Sequence, residues 1–183
     1  AIVFAGLEAR GLAHCDISAG NVILDLQNGQ VWVIDVEDLY APGWKRPAEI
    51  PAGTPGYAHR TSAAGQWHPC GDRFAGAVLL TEMLCWHHAE IRNRAQEGHL
   101  FRDIELQDPG TDLYRLVQEV LNSLSASLSG LLDRAWCSAT LEQCPPLAEW
   151  REALEPLVLP LGVDGWIPIK TPPPPLPVQF RFE

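Results

Sequence analysis

Lysine is scarce in this chain: of 183 residues only Lys45 and Lys170 are lysines, and 13 basic residues stand against 23 acidic ones, a formal net charge of -10. An acidic chain repels phosphate backbones, so nucleic-acid binding is not expected, and no basic stripe marks a membrane surface. No apolar run approaches the ~20 residues that a membrane-spanning helix needs, so no membrane segment is expected either. The cysteines, Cys15, Cys70, Cys85, Cys137 and Cys144, form no C-x-x-C pair. Their odd number and wide spacing argue against a zinc ribbon or a thioredoxin-like site and predict reduced thiols in a cytoplasmic protein. No charged segment precedes the apolar residues Ala1 to Ala5, so there is no secretory leader pattern. The first residue is Ala rather than Met, which predicts a piece of a longer protein. No internal repeat is visible.

What is present is enough apolar material, 46% of residues, for one sizeable core. Ile2 to Leu12 reads as the end of an amphipathic helix closed by Gly11. Val22-Ile23-Leu24 and Val31-Trp32-Val33-Ile34 flank Asn28-Gly29, a strong turn signal, and predict a short hairpin. Ala41 to Gly65 is rich in Pro and Gly and predicts a long ordered loop. Asp72 to Trp86 turns helical and almost uniformly apolar, as in a helix central to a domain, with Ala75, Val78, Leu79 and Met83 buried. Leu113 to Leu124, Leu128 to Trp136 and Pro145 to Leu157 follow as amphipathic helices, the last with Trp150 and Leu154 on one face. The seven tryptophans are expected mostly in the core or packed against the linker. Residues 1–157 thus read as one mainly α domain with a small β-hairpin. Residues 158–183, with Pro172 to Pro175 and Pro177, read as a Pro-rich linker or tail, and an additional domain could follow it.

The chemistry-bearing residues gather around the hairpin. His14-Cys15-Asp16-Ile17-Ser18-Ala19-Gly20-Asn21 precedes its first strand, and Asp35-Val36-Glu37-Asp38 follows its second. The hairpin should fold Asp35 back beside Asn21, with Asp16 a few ångströms away. Asn21 and Asp35 would then present hard oxygens of the kind that hold Mg²⁺ with few protein ligands, completed by phosphate and water. A carboxylate beside such a site can orient a hydroxyl or accept its proton. Taken singly, each of the three is an ordinary turn or cap residue.

Taken together, these segments resemble protein kinases. His14-Cys15-Asp16 through Asn21 is similar to the catalytic loop H-R-D-x-x-x-x-N, and Asp35-Val36-Glu37 stands where that family has D-F-G. Gly53-Thr54-Pro55-Gly56-Tyr57 resembles the stretch leading into the A-P-E segment. Cys70-Gly71-Asp72-Arg73-Phe74-Ala75 resembles the start of the central helix of the C-terminal lobe. Four pieces occur in the family's order over roughly Ala1 to Leu157. The resemblance implies a protein kinase-like C-lobe, part of an α+β parent fold, with ATP and Mg²⁺ as cofactors and a protein Ser/Thr hydroxyl as acceptor. It implies Asp16 as catalytic base, Asn21 and Asp35 as metal ligands, and Ser18, Gly53, Thr54 and Tyr57 as substrate-binding. It also implies His14 and Val36 in the packed column under the site, and Asp72 as the anchor of the catalytic loop.

Several positions depart from the family. Cys15 replaces the Arg that pairs with an activation-loop phosphate, so no phosphorylation switch of that kind is expected. Ser18 replaces a Lys, and Glu37 replaces the Gly of D-F-G. His59-Arg60-Thr61 stands where A-P-E would be, and Gln143 to Leu147 lacks the Arg that pairs with the buried Glu; losing both partners of a buried pair strands no charge. There is no G-x-G-x-x-G loop, no V-A-I-K lysine and no helix Glu to pair with it. Those parts are expected upstream, so the 183 residues alone are expected to be inactive, with an apolar upper face. Two other classes share features: a pseudokinase scaffold, and an aminoglycoside-phosphotransferase-like small-molecule kinase, whose loop is also H-x-D-x-x-x-x-N.

Overall fold

The computed structural model of the chain describes residues 1–157 except 26, 51, 63–65 and 96–98. The Pro-rich tail expected over 158–183 lies outside the described residues. The described residues hold six α-helices and one hairpin: α1 (Ile2–Glu8), β1 (Val22–Asp25), β2 (Gln30–Val33), α2 (Asp72–Cys85), α3 (Ala89–Ala95), α4 (Asp112–Leu124), α5 (Ala126–Trp136) and α6 (Leu147–Leu154). The expected class, mainly α with a small hairpin, is what is found.

The strands pair antiparallel, Val22 opposite Val33 and Asp25 opposite Gln30. Their turn is held by Asp25, whose carboxylate accepts from the Gln27 and Asn28 amides and from Asn28 Nδ2. The turn thus closes on an Asp side chain besides the Asn-Gly step. The hairpin leaves Ile23, Leu24, Val31 and Trp32 exposed.

α2 is the pillar of the fold. Eleven of its residues are buried, among them Phe74, Val78, Leu79 and Leu80, and it packs against α3, α4, α5 and α6. Complete burial of each large apolar side chain contributes about 1.5–3 kcal/mol. Met83 corrects the expectation, because it is 46% exposed. Its face of α2 opens onto an apolar cleft that it shares with Ile2, Leu24 and Val31. The tryptophans also divide otherwise than expected: Trp136 and Trp150 are fully buried, whereas Trp32, Trp44 and Trp86 are exposed.

Trp136 at the end of α5 centres an aromatic cluster, with Phe101 at 4.6 Å, Tyr114 stacked at 5.1 Å and Phe74 at 6.0 Å. Thr111 caps α4 by accepting from Tyr114 N. Ser125 has extended backbone, ends α4 and caps α5 by accepting from Ser127 N. α3 was not legible from periodicity, since only Ile91 and Ala95 in it are buried. Its Glu90 in the first turn and Arg92 and Arg94 in the last suit the helix dipole and were the available signal.

All five cysteines are free. Among the described residues no helix is long and apolar enough to cross a membrane.

Candidate active site

The loop before β1 is built on Asp72. This side chain, 3% exposed at the start of α2, accepts from His14 N through Oδ2 and from Cys15 N through Oδ1, both at 2.8 Å. Burial pushes its carboxyl up, against the two N–H bonds, which favour the ionised form. α2 must come close to the loop here. A Cβ on Gly71 would lie 2.6 Å from Gln66 O and 3.0 Å from Cys15 Sγ, so only glycine fits without displacing backbone. Cys15 itself has φ 69, a left-handed conformation that costs a non-glycine residue of order 1–3 kcal/mol and persists only when its surroundings over-determine it. Its thiol is fully buried and pushed up to about 12 by that burial, so it stays protonated at neutral pH.

His14 ties the loop to the end of the hairpin. The ring is fully buried. Its Nε2 lies 2.8 Å from Ile34 O, and its Nδ1 accepts from Asp16 N at 3.3 Å. Both contacts fit the neutral tautomer protonated at Nε2. Ile34 N in turn donates to Asn21 O at 3.1 Å. Asn21 therefore sits opposite Ile34, one residue from Asp35, as the hairpin argument required.

Asp16 is held from two sides. Thr54 Oγ1 donates to its Oδ1 at 2.8 Å, and Asn21 Nδ2 donates to its Oδ2 at 3.2 Å and to its backbone O at 2.8 Å. The donor end of the Asn21 amide is thus committed to Asp16, which leaves the acceptor end as the one able to face a cation. Asp35, also left-handed at φ 57 and ψ 54, turns the chain out of β2 into a short 3-10 turn over Val36–Asp38. Burial, and then the carboxylates of Glu37 and Asp16, push the Asp38 carboxyl up. The Ala13–Tyr40 bridge and the Trp67 Nε1 donation to Leu39 O hold this segment beside the loop.

The remaining candidates fall in different environments. Ser18 is 4% exposed. Gly53 lies against Gln66, whose Nε2 would stand 2.9 Å from a Cβ there. Tyr57 is buried and donates through its hydroxyl to Glu82 Oε2 at 2.7 Å. Burial and this bond hold the phenol above its usual range, and burial raises the Glu82 carboxyl as well. Val36 corrects its expected place: it is 53% exposed, so of the expected packed column only His14 is buried.

Asn21 and Asp35 provide hard oxygens from residues adjacent across the hairpin, a donor set that suits Mg²⁺ with few protein ligands. Among the described residues no group of three or more His, Cys, Asp or Glu could hold a metal ion. Any cation here would draw most of its coordination from outside the protein.

Sequence reasoning missed three supports. Glu8 pairs with Arg73 at 2.5 Å and accepts from Leu147 N at 2.8 Å, joining α1, α2 and α6. Asp103 accepts from Gly56 N at 2.7 Å. His59 is fully buried in a neutral polar cluster with Gln107 and Ser138. None of the three had a signal in the local sequence. No protein-family model matches the chain, and no curated protein matches it.

Proposed function

We propose that the chain is the C-terminal lobe of a protein kinase-like phosphotransferase that moves the γ-phosphoryl of ATP to a protein Ser or Thr hydroxyl. The observation that carries the reading is Asp16, whose carboxylate oxygens are aimed by Thr54 and Asn21 on a loop pinned by Asp72. Transfer of a phosphoryl group asks the protein mainly for positioning and charge stabilisation. In this reading the Asp16 carboxylate orients the acceptor hydroxyl and takes its proton. Thr54 and Asn21 fix the rotamer of Asp16 so that this orientation is set before the acceptor arrives. Asn21 and Asp35 would hold Mg²⁺, which supplies neutralisation of the phosphate charge.

The reading places the ATP-holding parts in an upstream lobe, and the exposed Val36, Ile23, Leu24 and Trp32 are surfaces such a lobe would cover. The test is an Mg-ATP phosphate-transfer assay on the protein extended upstream. Acceptors are a generic protein, the protein itself and an amino sugar. Transfer to protein hydroxyls supports the reading. Transfer to the amino sugar alone makes it a small-molecule kinase, and ATP binding without transfer to any acceptor makes it a scaffold.

A further inference from the structure

We propose that Asp103 is a positioning residue of the site: by holding the peptide group between Pro55 and Gly56 it fixes the turn from which Thr54 aims Asp16. The effect on phosphate transfer rests on the catalytic reading of Asp16. The effect on Thr54 does not.

Thr54-Pro55-Gly56-Tyr57 closes as a β-turn, with Tyr57 N donating to Thr54 O at 3.0 Å. Pro55 and Gly56 are its central residues, and Gly56 stands at φ 82. Pro at the first central position and a positive φ at the second mark a type II turn. A type I turn joins the same end residues with the central peptide rotated by roughly 180°. Glycine at the second position permits either form, so the local sequence alone does not lock the orientation.

The closing bond of a β-turn uses neither end of the central peptide, which leaves the Gly56 N–H for an outside acceptor. It donates to Asp103 Oδ1 at 2.7 Å, across 47 positions of chain. A flip of the peptide would carry this N–H away and turn the Pro55 carbonyl toward the Asp103 carboxylate, setting an oxygen against an anion. Asp103 thus favours one orientation by attraction and opposes the other by repulsion.

The base of this contact is itself fixed. Asp103 opens the 3-10 turn Asp103–Glu105. There Glu105 Oε2 accepts from Arg102 N at 3.0 Å, and its Oε1 pairs with Arg94 of α3 and with Arg102. The far end of the strip is held separately, by Tyr57 on Glu82 of α2. Thr54 begins the turn, and its Oγ1 donates to Asp16 Oδ1 at 2.8 Å. A displacement of about 1 Å would break a bond of that length and leave Asp16 held by Asn21 alone.

The test compares native, Asp103→Ala and Asp103→Asn proteins. Asp103 is exposed, so its truncation leaves the core intact, which circular dichroism checks. NMR of the 183-residue chain reads the Thr54 χ1 rotamer from three-bond couplings and the exchange of the Gly56 amide. The upstream-extended protein is assayed for Mg-ATP-dependent phosphate transfer. In Asp103→Ala, Thr54 should spread over several rotamers and the Gly56 amide should exchange faster. Transfer should fall about three- to tenfold in kcat with KM for ATP unchanged. Asp103→Asn keeps an oxygen that accepts from Gly56 N and should restore all of these toward native. In a Thr54→Ala background, Asp103→Ala should add little, because it acts through Thr54. A single native Thr54 rotamer in Asp103→Ala, or an equal loss of kcat with and without Thr54, would overturn the proposal. If the native protein transfers no phosphate, the catalytic reading fails, and the Thr54 rotamer decides on Asp103.

Discussion

Replacing Asp72 with Ala should unlatch the loop that carries His14, Cys15 and Asp16. The carboxylate receives two backbone N–H bonds of 2.8 Å in a setting with almost no solvent. Each orphaned N–H costs about 1–3 kcal/mol when water cannot replace the partner. Burial of the carboxylate is itself unfavourable, as its raised pKa records, and the variant is relieved of that burden. The net loss should be about 2–4 kcal/mol, against a total of about 5–15 kcal/mol for a domain of this kind. Asp72→Asn keeps the shape but turns an NH₂ toward one of the two amides, so its loss should be about 1.5–3 kcal/mol. Urea denaturation followed by circular dichroism reads the change as a lowered midpoint at constant slope. Hydrogen exchange at His14 and Cys15 reads the local effect. If Asp72→Ala left the midpoint within about 0.5 kcal/mol of native and both amides equally protected, the anchor argument would be wrong.

Glu105 accepts from Arg94 at 2.5 Å and Arg102 at 2.8 Å, and the Arg102 bond is the main reason its pKa falls from 4.5 to about 2. Its stabilisation is full above 4.5 and is lost as pH falls from there toward about 2. Glu105→Gln should cost about 1 kcal/mol at neutral pH, because Arg102 lies largely in water and Arg94 partly so, and should flatten stability across that acid window in a denaturation series. Gly56 has φ 82, and a Cβ there would stand 2.6 Å from His99 Cβ and 2.9 Å from Phe101 O. Gly56→Ala should therefore cost more than about 1 kcal/mol in thermal unfolding, and a stability equal to native would contradict that geometry. Thr54→Ala removes one of the two groups that aim Asp16. At about 1.4 kcal/mol for a factor of ten, it should lower kcat about tenfold in the upstream-extended protein with KM for ATP unchanged.

Much of the frame was legible because its signals are local. The Asn28-Gly29 turn between two β-branched runs fixed the hairpin, and that register sets Asn21 beside Asp35. The apolar run after Asp72 marked the pillar helix because few other settings bury so many side chains at once. What escaped was long-range. Met83 carries the same apolar character as Leu79, and only the assembled structure shows that it lines an open cleft. The place of Val36 in a packed column came only from the resemblance, and it is 53% exposed. The Thr54 bond to Asp16 spans 38 positions, and the His59 contact with Ser138 spans 79. No spacing within the chain announces either one.

The central claim rests on Asp16, and the measurement that tests it most directly compares native and Asp16→Asn forms of the upstream-extended protein. Mg-ATP-dependent phosphate transfer is measured with ATP affinity and circular dichroism alongside. Loss of a positioned base should slow transfer by about 10²–10⁴-fold while ATP affinity and fold stay the same. A native protein that transfers phosphate at a rate unchanged by Asp16→Asn would contradict the account.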